Sequence, residues 1–273
     1  MPLLKEIAAC LESIAPLEYQ EDYDNSGLQL GDPQKEVNSA LLTLDITENV
    51  VDEAISLKAD IIISHHPLIF SGIKKITGDS PVERIINRCI INNIAVYSCH
   101  TNIDSTIPGV SEYAGRKMGL INGKILAPRK EKPTYDLFAI QNEDPKVGLG
   151  WIGYLTEPVN EDTFLNMVKK LFNTGALRYS TPIGHPVHKV AFCGGSGAEF
   201  IPNAISAGAD AYITSDIKYH AFQQAENKLL LIDAGHFETE QFTKALFHDV
   251  LTKKFYNFAL HISKTKTNPI NYI

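Results

Sequence analysis

Ala59-Asp60-Ile61-Ile62-Ile63-Ser64-His65-His66-Pro67-Leu68-Ile69-Phe70 is the stretch that decides how this chain is read. Ile61 to Ile63 form a short β-branched run, the pattern of a strand buried on both faces. The run stops at two adjacent histidines, and Pro67, which lacks an N–H, ends the ladder there. Two imidazoles therefore stand at the carboxyl end of a buried strand, where open α/β sheets place their ligands. Core packing requires no histidine at that point, so metal binding is the first expectation.

Outward from this strand the chain alternates. Upstream, Leu3–Ile14 has the apolar spacing of an amphipathic helix and 18–33 reads as a long polar loop. Val37–Asp45 then reads as a strand and Asn49–Leu57 as a helix. Downstream come a helix over Pro81–Asn92, with proline at its start, and a short buried strand over Ile94–Ser98. Strands alternating with helices predict a parallel α/β sheet. After a helix near Glu112–Met118, the Lys-, Pro- and Gly-rich segment 122–134 reads as a boundary. Beyond it, strands are expected at Tyr135–Ile140, Gly150–Leu155, His188–Cys193, Asp210–Thr214 and Leu229–Asp233. Helices are expected at Glu161–Phe172, Glu199–Ala207 and Phe237–Leu251, with a last strand over Tyr256–Ile262 joining the first lobe. The expected fold class is α/β: one lobe over 1–125 plus 234–273 and a second over 126–233.

Composition narrows the function. At 273 residues, 44% hydrophobic and 21% charged, the sequence is that of an ordinary globular protein. No apolar run approaches the roughly 20 residues that span a bilayer, and no signal peptide is visible, so a cytoplasmic location is expected. The net charge of −7 argues against nucleic acid and anionic membranes as partners. The four cysteines are scattered with no C-x-x-C pair, so neither a disulfide framework nor a thiolate zinc site is indicated. A metal site here must be built from imidazole and carboxylate.

Three further clusters follow apolar strands: Cys99-His100-Thr101-Asn102-Ile103-Asp104, Thr214-Ser215-Asp216-Ile217-Lys218-Tyr219-His220, and Asp233-Ala234-Gly235-His236-Phe237-Glu238-Thr239-Glu240. His236 and Glu240, four apart, share one helical face. Each cluster has a bland reading: a solvated histidine, a surface His–Glu pair, a turn-capping aspartate. The glycines at 194–197 read as a tight turn, since a glycine run without a P-loop lysine is weak evidence for phosphate. Four strand ends that each carry His or acid weigh against independent structural roles. Imidazole with carboxylate suits zinc, manganese, iron, cobalt or nickel. The donors exceed what one open catalytic zinc takes and suit two ions roughly 3.5–4 Å apart, the arrangement of many hydrolases.

The blocks DNSGLQLG (Asp24–Gly31), SHHPLIFSGIK (Ser64–Lys74), HTNID (His100–Asp104), CGGSG (Cys193–Gly197), AYITSDIKYH (Ala211–His220) and GHFETE (Gly235–Glu240) resemble those of the NIF-three-like family, also known as GTP cyclohydrolase I type 2. The resemblance covers nearly the whole chain. It departs at Ser215, where the family more often has glycine. It implies two α/β lobes with a dinuclear metal site in the cleft between them, its two divalent ions held by His65, His66, Asp104, His236 and Glu240. It makes His100 and His220 catalytic groups that move protons, places Asn25 on the loop edging the cleft, and implies a toroidal homohexamer. The implied reaction is hydrolysis of GTP, in which water opens the guanine imidazole ring towards formate and dihydroneopterin triphosphate. Lys74, Lys75 and Arg178 are candidate phosphate contacts. Two other readings stand beside it: a dinuclear phosphoesterase or amidohydrolase acting on another nucleotide-like metabolite, and a metal-binding ring scaffold without turnover.

Overall fold

The computed structural model describes residues 1–129, 147–225 and 227–273. In chain order these form α1 (Leu4–Glu12), β1 (Gly27–Leu30), β2 (Ser39–Thr43), α2 (Glu48–Ser56), β3 (Ile61–Ser64), α3 (Pro81–Ile91), β4 (Ala95–Ser98) and α4 (Thr101–Asp104). Next come α5 (Val110–Lys117), β5 (Ile121–Pro128), β6 (Gly148–Val159), α6 (Glu161–Phe172), β7 (Arg178–Tyr179), β8 (Val187–Ser196) and α7 (Ile201–Ser206). The chain ends with β9 (Ala211–Ser215), α8 (Tyr219–Phe222), β10 (Leu230–Asp233), α9 (His236–Glu240), α10 (Thr243–Lys254) and β11 (Ala259–Ile262). Contacts divide it into two compact units, 1–103 with 241–270, and 104–240 with 271–273. Both units are mixed α/β. Among the described residues no helix is long and apolar enough to cross a membrane.

The first unit holds a five-stranded sheet of order β1-β4-β3-β2-β11. β11, β2, β3 and β4 are parallel, and every residue of β2, β3 and β4 is buried, as a sheet covered on both faces requires. One face is sealed by α2 and α3, which bring Val50, Ala54, Ile85 and Cys89 onto Leu41, Ile62 and Val96. Thr47 and Ser80 cap these helices through their side chains, and Pro81 pre-sets the first turn of α3. Glu53 of α2 fastens the segment after β11 by accepting bonds from Ser263 Oγ, Lys264 N and Thr265 Oγ1.

The second unit holds a six-stranded sheet of order β5-β6-β8-β9-β10-β7. Its centre, β8, β9 and β10, is parallel, while β5, β6 and β7 pair antiparallel. β9 and β10 are buried throughout and β8 over Val190–Cys193, with Ala191, Tyr212 and Leu231 packed against Ile201 and Ala204 of α7.

Several elements differ from expectation. The 18–33 segment is not all loop: Gly27–Leu30 pairs antiparallel with β4 as an edge strand. An edge strand bonded on one side needs little hydrophobic signal. The boundary segment 122–134 begins inside β5, and its 130–134 part, like the strand expected at Tyr135–Ile140, lies outside the described residues. Gly123 serves packing there, because a Cβ on it would lie 2.3 Å from Trp151 Nε1. The strand ending at Cys193 instead runs to Ser196, with an irregular register between Phe192 and Ser196. The helix expected over Phe237–Leu251 is interrupted at Gln241–Phe242. The Thr239 hydroxyl lies 2.9 Å from both the Gly235 and His236 carbonyls, back-bonding that distorts helices.

Gly123→Ala therefore overpacks the Trp151 site. It is expected to cost about 1–3 kcal/mol, read as a lower melting temperature than wild type, with relief when Trp151→Phe is added.

Candidate functional site

In the first unit the parallel register aligns Thr43, Ser64 and Ser98 at one sheet edge. The residues leaving that edge are Asp45, His65–His66 and Cys99–His100. The Ser64 and Ser98 hydroxyls lie 2.8 Å apart, and Ser64 Oγ also donates to the His66 carbonyl at 2.7 Å, so the strand ends are pinned before the histidines begin. The imidazoles form a triangle with centroid separations of 4.9, 5.3 and 5.4 Å. Ligand atoms of His65, His66 and His100 all lie within 4.8 Å of one another.

Each ring has its Nδ1 engaged. His65 Nδ1 is 3.0 Å from the Cys99 carbonyl oxygen. A carbonyl only accepts, so Nδ1 carries the proton and Nε2 the lone pair. His66 Nδ1 lies 2.7 Å from Asp45 Oδ1, and the Thr267 hydroxyl holds the other oxygen of Asp45 at 2.6 Å. His100 Nδ1 lies 2.7 Å from Asp24 Oδ1. Asp24 also accepts from the Thr101 N–H at 3.0 Å and from the Ser26 hydroxyl at 3.2 Å. Burial opposes ionisation of Asp24, but the bonds from His100 and Thr101 outweigh it and hold the carboxyl well below its usual range. Metal-bound histidines are held in this way, the far nitrogen bonded to an oxygen that fixes tautomer and orientation.

The second unit carries a smaller arrangement. His236 and Glu240 of α9 meet across one helical turn, Nε2 to Oε2 3.1 Å. His236 Nδ1 lies 2.6 Å from Asp216 Oδ2, so this ring is tethered like the others. Asp216 sits just past β9 at φ 55°, a left-handed conformation that aspartate tolerates better than most side chains. Burial disfavours the charged imidazolium of His236, yet the bonds to Asp216 and Glu240 win and push its pKa up to about 10. The glycine run makes room for this pair. Gly195 has φ +61°, and a Cβ there would lie 2.0 Å from Glu240 Oε1 and 3.3 Å from His236 Nε2. Burial, then the charges of Asp104 and Glu240, push up the pKa of the neighbouring Cys193 thiol, which keeps it protonated and inert.

The remaining expected residues fall as follows. Asp104 is half-buried at the end of α4. His220 is exposed on α8, its ring edge-on to Tyr219 at 5.1 Å. Arg178 pairs with Asp233 and donates to the Ile217 carbonyl at 3.0 Å, a structural tie between β7 and the end of β10. Lys75 pairs with Asp79 at 2.6 Å. The Asn25 amide donates to the Ile69 carbonyl at 2.5 Å and so braces the segment after the histidines. Sequence reasoning missed Asp24 and Asp45 as partners of His100 and His66. Asp45 was findable as an acid ending the strand beside β3. Asp24 lies 76 residues from His100, and no spacing links them.

A model of the Duf34/NIF3 family (NGG1p interacting factor 3) matches residues 2–269. The chain belongs to this family. Relatives in the Duf34/NIF3 group include a GTP cyclohydrolase 1 type 2 homolog of Clostridium acetobutylicum, 34% identical over 87% of this chain and 85% of that one. A protein of the same name from Streptococcus pneumoniae is 33% identical over 99% of this chain and its own full length. Among solved structures, a Bacillus cereus protein related to NIF3 superposes with a TM-score of 0.87 at 28% identity, covering 100% of this chain and 99% of that one.

The donor set of this Duf34/NIF3 member fits divalent transition metals: imidazoles with Nδ1 occupied, carboxylates beside them, and a glycine cradle that any side chain would fill. Asp45→Asn leaves the His66 ring in place and removes the charge behind it. It is expected to weaken zinc binding about 10–100-fold in a competition titration against a chromophoric chelator. Gly195→Ala, which crowds Glu240 and strains φ, is expected to lower both melting temperature and bound metal.

Proposed function

We propose that this protein is a dinuclear metal-dependent hydrolase that opens the guanine imidazole ring of GTP. One observation carries the metal-binding part: four imidazoles have Nδ1 on an oxygen and so offer Nε2 as the donor. In this reading His65, His66, Asp104, His236 and Glu240 are the ligands of two divalent ions (zinc, manganese, iron, cobalt or nickel). When bound, such a pair supplies Lewis acidity and lowers the pKa of water at the site. The names of the Clostridium and Streptococcus relatives support GTP as substrate.

The protein's own groups take the other parts. Asp24 holds the His100 Nδ1 proton, which leaves Nε2 to accept a proton from the attacking water and return it to a ring nitrogen. The bonds that keep Asp24 ionised stabilise the imidazolium that forms in between. His220, exposed on α8, is the second proton carrier. In the cell the protein works as a homohexameric ring.

Elemental analysis is the test. Wild type reconstituted with each metal is expected to hold about two ions per chain, and His66→Ala combined with Glu240→Ala to lose them. Wild type should then release formate from GTP, with Asp24→Asn slowed by about 10²–10⁴-fold. No bound metal after reconstitution defeats the hydrolase reading. Metal with release of phosphate and no formate replaces it with a phosphoesterase.

A further inference from the structure

The histidine triangle of the first unit has an aromatic neighbour that no step above uses. Phe70 is 49% exposed and Tyr23 66% exposed, both large rings left in water. Phe70 stands 6.3 Å from the His100 ring, at 77° to it, and Tyr23 stands 6.4 Å from Phe70. The rings are tilted by 50° and do not cover one another.

The backbone beneath them is fixed. The Ile69 N–H donates to Gln29 Oε1 at 2.9 Å, and the Asn25 amide donates to the Ile69 carbonyl at 2.5 Å. Gln29 Nε2 donates in turn to the Asn25 carbonyl at 2.7 Å, which braces the two residues that hold Ile69 against each other. An exposed ring on a mobile loop is ordinary surface. A ring held out into water on a braced backbone, beside a metal-grade imidazole, is placed to receive something. Phe70 also lines a cavity of about 480 Å³, together with Ser71, Lys74, Lys75, Ser80 and Glu83. Glu83 is engaged by the N–H groups of Thr77, Gly78 and Asp79, and Lys75 by Asp79, so the aromatic face, Lys74 and the Ser71 hydroxyl remain to match a planar heterocycle that carries an anionic tail.

We infer that Phe70, with Tyr23 as its side wall, is the stacking platform for the substrate's nucleobase, and that Lys74 receives its phosphates. This deepens the proposed function and rests on it for the substrate class. Every base has a π-face, so the platform confers affinity and orientation, and recognition of base edges falls to other groups.

The experiment is calorimetric titration of guanosine, GTP and inorganic triphosphate into the full-length protein, with and without zinc. Phe70→Ala is expected to weaken guanosine and GTP on the order of 10–100-fold and to leave triphosphate unchanged. Phe70→Trp should bind as tightly as wild type, and Phe70→Leu, apolar without a π-face, should resemble Phe70→Ala. Lys74→Ala should weaken GTP and triphosphate and spare guanosine. Indifference of nucleoside binding to Phe70, or wild type that binds neither guanosine nor GTP, overturns the inference. So does loss of binding in Tyr219→Ala with Phe70→Ala unaffected, which would seat the base in the second unit. A change in oligomeric mass by light scattering, with affinity intact, also overturns it, since Phe70 would then be a subunit contact. Absence of metal or of formate release, with Phe70-dependent nucleoside binding preserved, defeats the hydrolase reading alone and leaves this inference standing.

Discussion

An imidazole presents one chosen nitrogen to a ligand only if something holds the other, and the candidate site depends on that constraint. A carbonyl holds His65, and Asp45, Asp24 and Asp216 hold His66, His100 and His236. A neutral imidazole free to rotate gives up torsional entropy on binding and can present the wrong tautomer. Here those choices are made before any ligand arrives. The tethers are themselves braced: Asp45 by Thr267, and Asp24 by Thr101 and Ser26. The site is therefore two layers deep, and the outer layer is as much part of the chemistry as the histidines.

The sheets make such layering possible. Parallel strands all end at the same edge, so β2, β3 and β4 deliver an acid, two histidines and another histidine to one line from three places in the sequence. Complete burial of these strands supplies the stiffness. The second sheet repeats the logic with β9 and β10, whose ends deliver Asp216 and His236. The glycines of β8 then yield space to Glu240, a case where removing a side chain is the contribution.

Charge follows the same economy. Glu240 and Asp216 raise the pKa of His236, while His100 and Thr101 lower that of Asp24. In the second unit His236 is thus held in its charged form near neutrality, poised for a cation to take the place of the proton. Cys193, close to Asp104 and Glu240, is kept protonated by burial and by their charges. A thiol therefore sits in the second unit without joining its chemistry.

The sequence by itself determined the α/β class, the burial of the central strands and the clustering of His and acid at strand ends. These are local signals: β-branched runs, Pro67 after the histidines, and the four-residue spacing of His236 and Glu240. The blocks around them also carried the family. The tertiary structure alone decided which acid serves which histidine, because Asp24 and His100 are 76 residues apart and meet only once β1 lies against β4. It also turned the apparent glycine turn, over 194–196, into the end of a strand that accommodates Glu240, and 122–128 of the Lys- and Gly-rich boundary into a strand with room for Trp151. Glycine reads the same in a sequence whether it serves flexibility or close approach, and only the neighbouring atoms distinguish the two.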